Sequence, residues 1–159
     1  MRKVWITEAE TITPFGDDVE GLWQAISEGK TAIRPVKRFP VDGYHAHIAS
    51  YIEDLVTTDA RSMIYTLLER LCCRLLPVAP DTLLMTATTK AGIDNLEKMH
   101  RGCPADARDI LPGSLLEEIR RKLNLTGDCI NINSACTSST IAVANGATLI
   151  ASGTAPSWP

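Results

Sequence analysis

The sequence predicts an α/β protein. Short apolar, β-branched runs alternate with segments whose apolar residues recur at helical spacing. Their order is strand, helix, helix, strand, helix, helix, strand, helix, which suits helices packed on a sheet. The strongest helical pattern opens at Asp59, carries Met63, Ile64, Leu67, Leu68, Leu71, Cys72, Leu75 and Leu76 on one stripe, and stops at Pro77. Residues 129–150 read as a strand, a tight turn and a helix, with Cys136 at the junction.

Taken in order, residues 3–7 read as a short strand, and residues 11–16 as a loop punctuated by Pro14 and Gly16. Asp17 or Asp18 caps a helix that runs to about Glu28, with Val19, Leu22, Trp23 and Ile26 on one face and Gly29 as its stop. Residues 31–39 are held extended by Pro35 and Pro40. Residues 39–54 are mixed. His45 and His47 share a face if that segment is a strand, but two ligands do not define a metal site, so they read as surface or loop histidines. The 59–76 helix follows. Its neighbouring Cys72 and Cys73 point about 100° apart and do not suit a disulfide. Residues 81–88 read as a buried strand and residues 91–100 as a helix. His100 and Cys103 are set among Gly102 and Pro104, a loop context rather than a working pair. Ser114-Leu115-Leu116-Glu117 has the form of a capping box and opens a helix with Leu115, Leu116, Ile119 and Leu123 on one side. Arg120, Arg121 and Lys122 suit its C-terminal dipole and read as a solvated helix end. Gly127 turns the chain into the last strand, residues 129–133.

Composition narrows the functional classes. The chain has 159 residues, with 16 Lys and Arg against 19 Asp and Glu. The charges are interspersed, so no nucleic-acid surface is indicated. No secretory leader is visible at the N-terminus, and no apolar run reaches the roughly 18 residues of a membrane span. The five cysteines show no zinc-type spacing and point to a reducing, cytoplasmic compartment.

Cys136 is the candidate nucleophile. It follows the turn Asn133-Ser134-Ala135 and precedes a helix in which Ile141, Ala142, Ala144, Ala147, Thr148 and Ile150 recur before Gly153. Unpaired N–H groups and the helix dipole at such a junction favour an anionic sulfur. The geometry is that of a nucleophile elbow with cysteine in place of serine, set against the plainer role of a buried cysteine.

Ser134-Ala135-Cys136-Thr137-Ser138-Ser139, with the small-residue helix behind it, resembles the active-site stretch of the β-ketoacyl synthases, in the thiolase superfamily. Pro14-Phe15-Gly16, Leu22-Trp23 and Gly29-Lys30-Thr31-Ala32-Ile33-Arg34 resemble the opening of the same proteins. So does the order of a helix, a glycine turn and a strand before Cys136. The likeness spans essentially residues 3–153. It implies the N-terminal half of a thiolase-like fold over residues 1–153, a mixed five-stranded sheet between helical layers that is incomplete at the C-terminus, with 154–159 as an irregular tail.

The implied chemistry is acyl transfer. The Cys136 thiolate takes an acyl group from the phosphopantetheine arm of acyl carrier protein, and its backbone N–H helps form the oxyanion hole. A malonyl-carrier thioester then loses carbon dioxide and its carbanion attacks the acyl group, in fatty-acid or polyketide synthesis. No separate cofactor and no metal are implied. Acyl carrier protein is the implied partner, and the 129–133 strand is the implied edge of a homodimer. The chain also departs from the family. Glu8 and Glu10 stand where glycines are usual, and His45, His47 and His100 match no catalytic position. The family's histidines, lysine and glycine-rich turn belong to a second half, and residues 154–159 do not continue the family's pattern, as in a truncated or frame-shifted end. The sheet is therefore expected to be interrupted, and condensation is not expected from these residues alone. A non-catalytic, ketosynthase-like interaction module is the alternative. An unrelated cysteine hydrolase is a third reading, and it lacks a well-placed histidine base.

Overall fold

A computed structural model describes residues 2–56 and 60–154. They form two compact units, one of residues 8–56 and one that joins residues 2–7 to residues 60–154.

In the 8–56 unit, helix α1 (Val19–Ser27) is capped by Asp18, whose carboxylate accepts from the Gly21 N–H at 2.5 Å. Gly29 leaves the helix at φ 67°, a left-handed conformation that glycine adopts without steric cost. Both ends lie where the sequence places them. Of the expected apolar face, Val19, Trp23 and Ile26 are exposed, and Ala25 is the buried residue. Strand β1 (Ile33–Pro35) pairs antiparallel with β2 (Ile48–Ser50), with Arg34 opposite Ala49. β2 arises within the mixed segment and was not legible as a strand, because three residues carry too little alternation to read. Tyr51 anchors this hairpin. Its hydroxyl donates to Pro35 O at 3.1 Å, its carbonyl accepts from Arg34 Nη2 at 2.6 Å, and the Arg34 guanidinium stacks 4.5 Å above its ring.

The other unit contains the parallel pair β3 (Leu84–Ala87) and β4 (Cys129–Ile132), with Leu84 opposite Cys129 and Ala87 opposite Ile132. Parallel strands need a long crossover. Here it carries α3 (Ile93–His100), a one-turn 3-10 helix (Ala107–Ile110) and α4 (Pro112–Lys122). Helix α5 (Ser138–Ser152) follows β4 and packs on both strands, while α4 packs on β4. Gly153 caps α5 at φ 77°. The core is small. Tyr65 and Leu68 of α2 (Met63–Cys72) meet Leu115 of α4, with Ile64 and Ile119 against them.

Three expectations change. Residues 3–7 form no strand, and Trp5 and Ile6 are 75% and 82% exposed. A strand needs a paired neighbour for its backbone groups, and β3 and β4 pair only with each other among the described residues. The sheet is interrupted as expected: among the described residues β3–β4 is the strand pair of this unit, and β1–β2 is a separate hairpin in the 8–56 unit. The expected start of α2 at Asp59 lies outside the described residues. Ser62 is its cap, and it ends at Cys72 rather than Leu76. Arg74 N–H bonds Leu71 O at 3.0 Å, tightening the last turn, and a residue before proline resists helical geometry. Finally, the Ser114 capping box is not realised. α4 starts one turn earlier, at Pro112, whose fixed φ suits the first helical position, and Leu111 is the cap without a side-chain bond.

A buried polar node joins α2, α3 and the 3-10 helix. The Asp109 carboxylate is 3% exposed and accepts from Ser62 N–H at 2.8 Å, Arg61 Nε at 3.1 Å and Asn95 Nδ2 at 3.3 Å. Asn95 Nδ2 also reaches the carbonyls of Ala60 and Asp106, at 2.8 and 3.0 Å. Asp94 accepts from Ser62 Oγ and from Met63 N–H. The Arg61 guanidinium lies 3.9 Å above the Tyr65 ring, which places this node directly over the core.

Candidate active site

The site begins at β4. Thr86 of β3 is buried and donates to Asn131 Oδ1 of β4 at 2.9 Å, which ties the parallel pair together one residue before each strand ends. The chain then turns through Asn133 and Ser134. Ala135 is in the left-handed region at φ 48°, unusual for a residue with a Cβ. Ala135–Thr137 make a single 3-10 turn, and α5 begins at Ser138. Cys136 is the middle residue of that turn. It lies between strand and helix as the sequence indicates, and its side chain is exposed rather than buried in the core.

Two hydroxyls close the turn around it. Ser138 is 4% exposed, and its Oγ accepts the Ser134 N–H at 2.8 Å and donates to Ala135 O at 2.8 Å. Thr137 Oγ1 donates to Ser134 O at 2.7 Å, an oxygen that also accepts the Thr137 N–H at 3.1 Å. The Cys136 N–H has no hydrogen bond within the described chain and remains available as a donor. The sequence places Cys136 at this junction but does not single out these hydroxyls. The signal was present, because serine and threonine just inside a helix start commonly bond back to the preceding turn.

The other cysteines are differently placed. Cys72 and Cys129 are half-buried, whereas Cys73 and Cys103 are exposed. Burial pushes the Cys72 thiol above its ordinary value, opposed in part by the Lys122 ammonium. The histidines are placed elsewhere in their own units. His47 Nε2 pairs with Tyr44 O at 2.8 Å, and His100 ends α3. The basic end of α4 is neutralised locally, with Arg121 on Glu118 at 2.7 Å and Lys122 on Glu69 at 3.4 Å. Among the described residues, no group of three or more His, Cys, Asp or Glu side chains is gathered to hold a metal, and no helix is long and apolar enough to cross a membrane.

No protein-family model matches the chain. Over 53 residues it is 34% identical to 3-oxoacyl-[acyl-carrier-protein] synthase 2 of Coxiella burnetii (strain RSA 493 / Nine Mile phase I), a match that spans 33% of this chain and 13% of that protein. The crystal structure of a β-ketoacyl synthase from Burkholderia phymatum STM815 superposes with a TM-score of 0.63 at 13% sequence identity, covering 91% of this chain and 42% of that one. The chain therefore carries part of the β-ketoacyl synthase fold, and a third of its sequence is similar to a 3-oxoacyl-[acyl-carrier-protein] synthase.

Proposed function

We propose that the chain is the nucleophile-bearing, N-terminal portion of an acyltransferase of the β-ketoacyl-acyl-carrier-protein synthase type, serving fatty-acid or polyketide synthesis. The observation that carries this reading is Cys136, exposed on a tight strand-to-helix turn with its own N–H unbonded. The Cys136 sulfur attacks the carbonyl carbon of an acyl thioester. The free N–H donates to the oxygen as negative charge develops there. Collapse breaks the carbonyl–sulfur bond of the donor, releases the phosphopantetheine thiol with a proton, and leaves the acyl group on Cys136. In the second stage, malonyl-carrier thioester loses carbon dioxide. Its carbanion attacks the acyl carbonyl and expels the Cys136 sulfur. Acyl carrier protein brings both substrates, and no separate cofactor takes part.

Among the described residues, the edge of β4 away from β3 has no strand partner. An open edge of that kind favours pairing with a second copy, which supports a homodimer. Five free cysteines support a cytoplasmic setting. The decarboxylating stage needs charge stabilisation that the family obtains from histidines, and His45, His47 and His100 match none of those positions. Each such donor is worth on the order of 10²–10³ in rate, so acylation is expected here without condensation.

The test is to incubate the chain and a Cys136→Ala variant with acyl- and malonyl-carrier thioesters. Mass spectrometry of the cysteine peptides is expected to find one acyl group, on Cys136, and no ketoacyl product above the variant's background. Cys136-dependent ketoacyl product at about 10 per second, an ordinary enzyme rate, would refute the account of condensation. Absence of any acyl group on Cys136 would instead favour the non-catalytic interaction module.

A further inference from the structure

We propose that Ser138 is the positioning residue of the Cys136 turn, a latch whose hydroxyl holds the thiol and the Cys136 N–H outward. The inference deepens the acyl-transfer reading and rests on it for its functional meaning. Ser138 is the first residue of α5, and its side chain is turned inward, 4% exposed. Its oxygen spans the turn, accepting from Ser134 N–H and donating to Ala135 O, both at 2.8 Å. The loop so closed runs from residue 134 to residue 138, with Cys136 at its centre.

The latch has a conformation to hold. Ala135 sits at φ 48° and Ser134 at φ −139°, ψ 48°. An alanine leaves the left-handed region readily unless its neighbours hold it there. One hydroxyl bridges the Ser134 N–H, before the torsions of Ser134, and the Ala135 C=O, after those of Ala135, so it spans both residues, and the Ser138 N–H adds a second bond to Ala135 O. If Ala135 relaxes to ordinary backbone angles, the peptide that follows it rotates. That peptide carries the Cys136 N–H. The donor then no longer points where the thioester oxygen meets the sulfur. Thr137 cannot substitute, because both of its hydroxyl contacts are with Ser134 and neither reaches Ala135.

The test uses the full chain and three readouts. In the unmodified protein, the Ser134 amide is expected to exchange with deuterium far more slowly than the Cys136 amide, although both residues are exposed. A Ser134 amide that exchanges as fast as that of Cys136 overturns the proposal without any variant. Acylation of Cys136 by an acyl-carrier thioester is expected to fall about tenfold or more in Ser138→Ala, the scale of a lost reactive alignment. Alkylation of the distant, exposed Cys103 is expected to be unchanged, and Ser138→Thr, which keeps the hydroxyl, to recover most of the acylation. An equal acylation rate in Ser138→Ala, or a loss that Ser138→Thr does not recover, also overturns it. A slow Ser134 amide in a chain that never acylates Cys136 sinks the acyl-transfer reading and leaves the latch standing.

Discussion

Replacing Asp109 by alanine is expected to destabilise the 60–154 region by about 2–3 kcal/mol, and the environment of the carboxylate sets that figure. Three donors lose their acceptor. The Ser62 N–H, on a residue 1% exposed, is left unpaired inside the fold, and an unsatisfied buried donor costs about 1–3 kcal/mol. Asn95 Nδ2 keeps the Ala60 and Asp106 carbonyls and loses little. The Arg61 side chain is 44% exposed, so water screens its charge and its ion pair adds no more than about 0–1 kcal/mol. The buried N–H dominates and the charge is secondary. Asp109→Asn, which keeps an acceptor oxygen for Ser62, is therefore expected to cost only about 1 kcal/mol. Urea unfolding followed by circular dichroism measures both variants. Equal losses for alanine and asparagine would show that charge rather than the Ser62 hydrogen bond holds the node. A loss below about 0.5 kcal/mol for alanine, the level of ordinary surface substitutions, would remove the node from the stability of the fold altogether.

Gly127→Ala is expected to destabilise more than an ordinary loop change, because its new Cβ stands 2.5 Å from Asp81 O and 2.8 Å from Thr82 O, backbone atoms just before β3. Thermal melting against a Gly43→Ala control, where nothing lies within 4 Å, measures the difference. Hydrogen bonds from the Arg108 side chain and then its backbone N–H lower Asp106 from 3.8 to about 2. With the folded value depressed, the stabilisation from this pair is present above the ordinary carboxylate range and is lost as pH falls through about 2, so carboxyl NMR should find a midpoint near that value; one at 3.8 or above would contradict it. With limiting iodoacetamide at neutral pH, Cys136 is expected to label before Cys72 and Cys129, which are half-buried; adduct mapping by mass spectrometry decides, and preferential labelling of either would oppose the helix-start argument. Light scattering at micromolar concentration is expected to show a dimer or larger species, and a monodisperse monomer would count against pairing through β4.

Helix α1 and the β4–turn–α5 segment were legible because their signals are local. Asp18 caps within three residues, Gly29 and Gly153 supply left-handed stops, and the 129–150 pattern changes period across one short turn. The α4 start shows where a local signal misleads. Ser114 and Glu117 have the right spacing for a cap, but Pro112 already satisfies the first helical position, so the helix is under way before the serine is reached. Tyr65 was missed for the core because it stands off the leucine stripe. Its burial depends on Leu115 of α4 and on Arg61 above its ring, neither of which a helical period reveals.

The sequence by itself determined the α/β class, the place of Cys136 at a strand-to-helix junction, and the likeness to the ketosynthases, because each depends on residue types at fixed short spacing. Only the tertiary structure decided which strands pair and which side chains close the site's surroundings. Residues 3–7 have the composition of a strand, yet strand formation is completed by a neighbour's backbone groups, and among the described residues no strand pairs with them. The Ser62–Asp109 bond joins positions 47 residues apart and the Thr86–Asn131 bond positions 45 apart. Contacts of that separation leave no periodic trace in the chain, because they exist only once the intervening crossover has folded and brought their partners within hydrogen-bond distance.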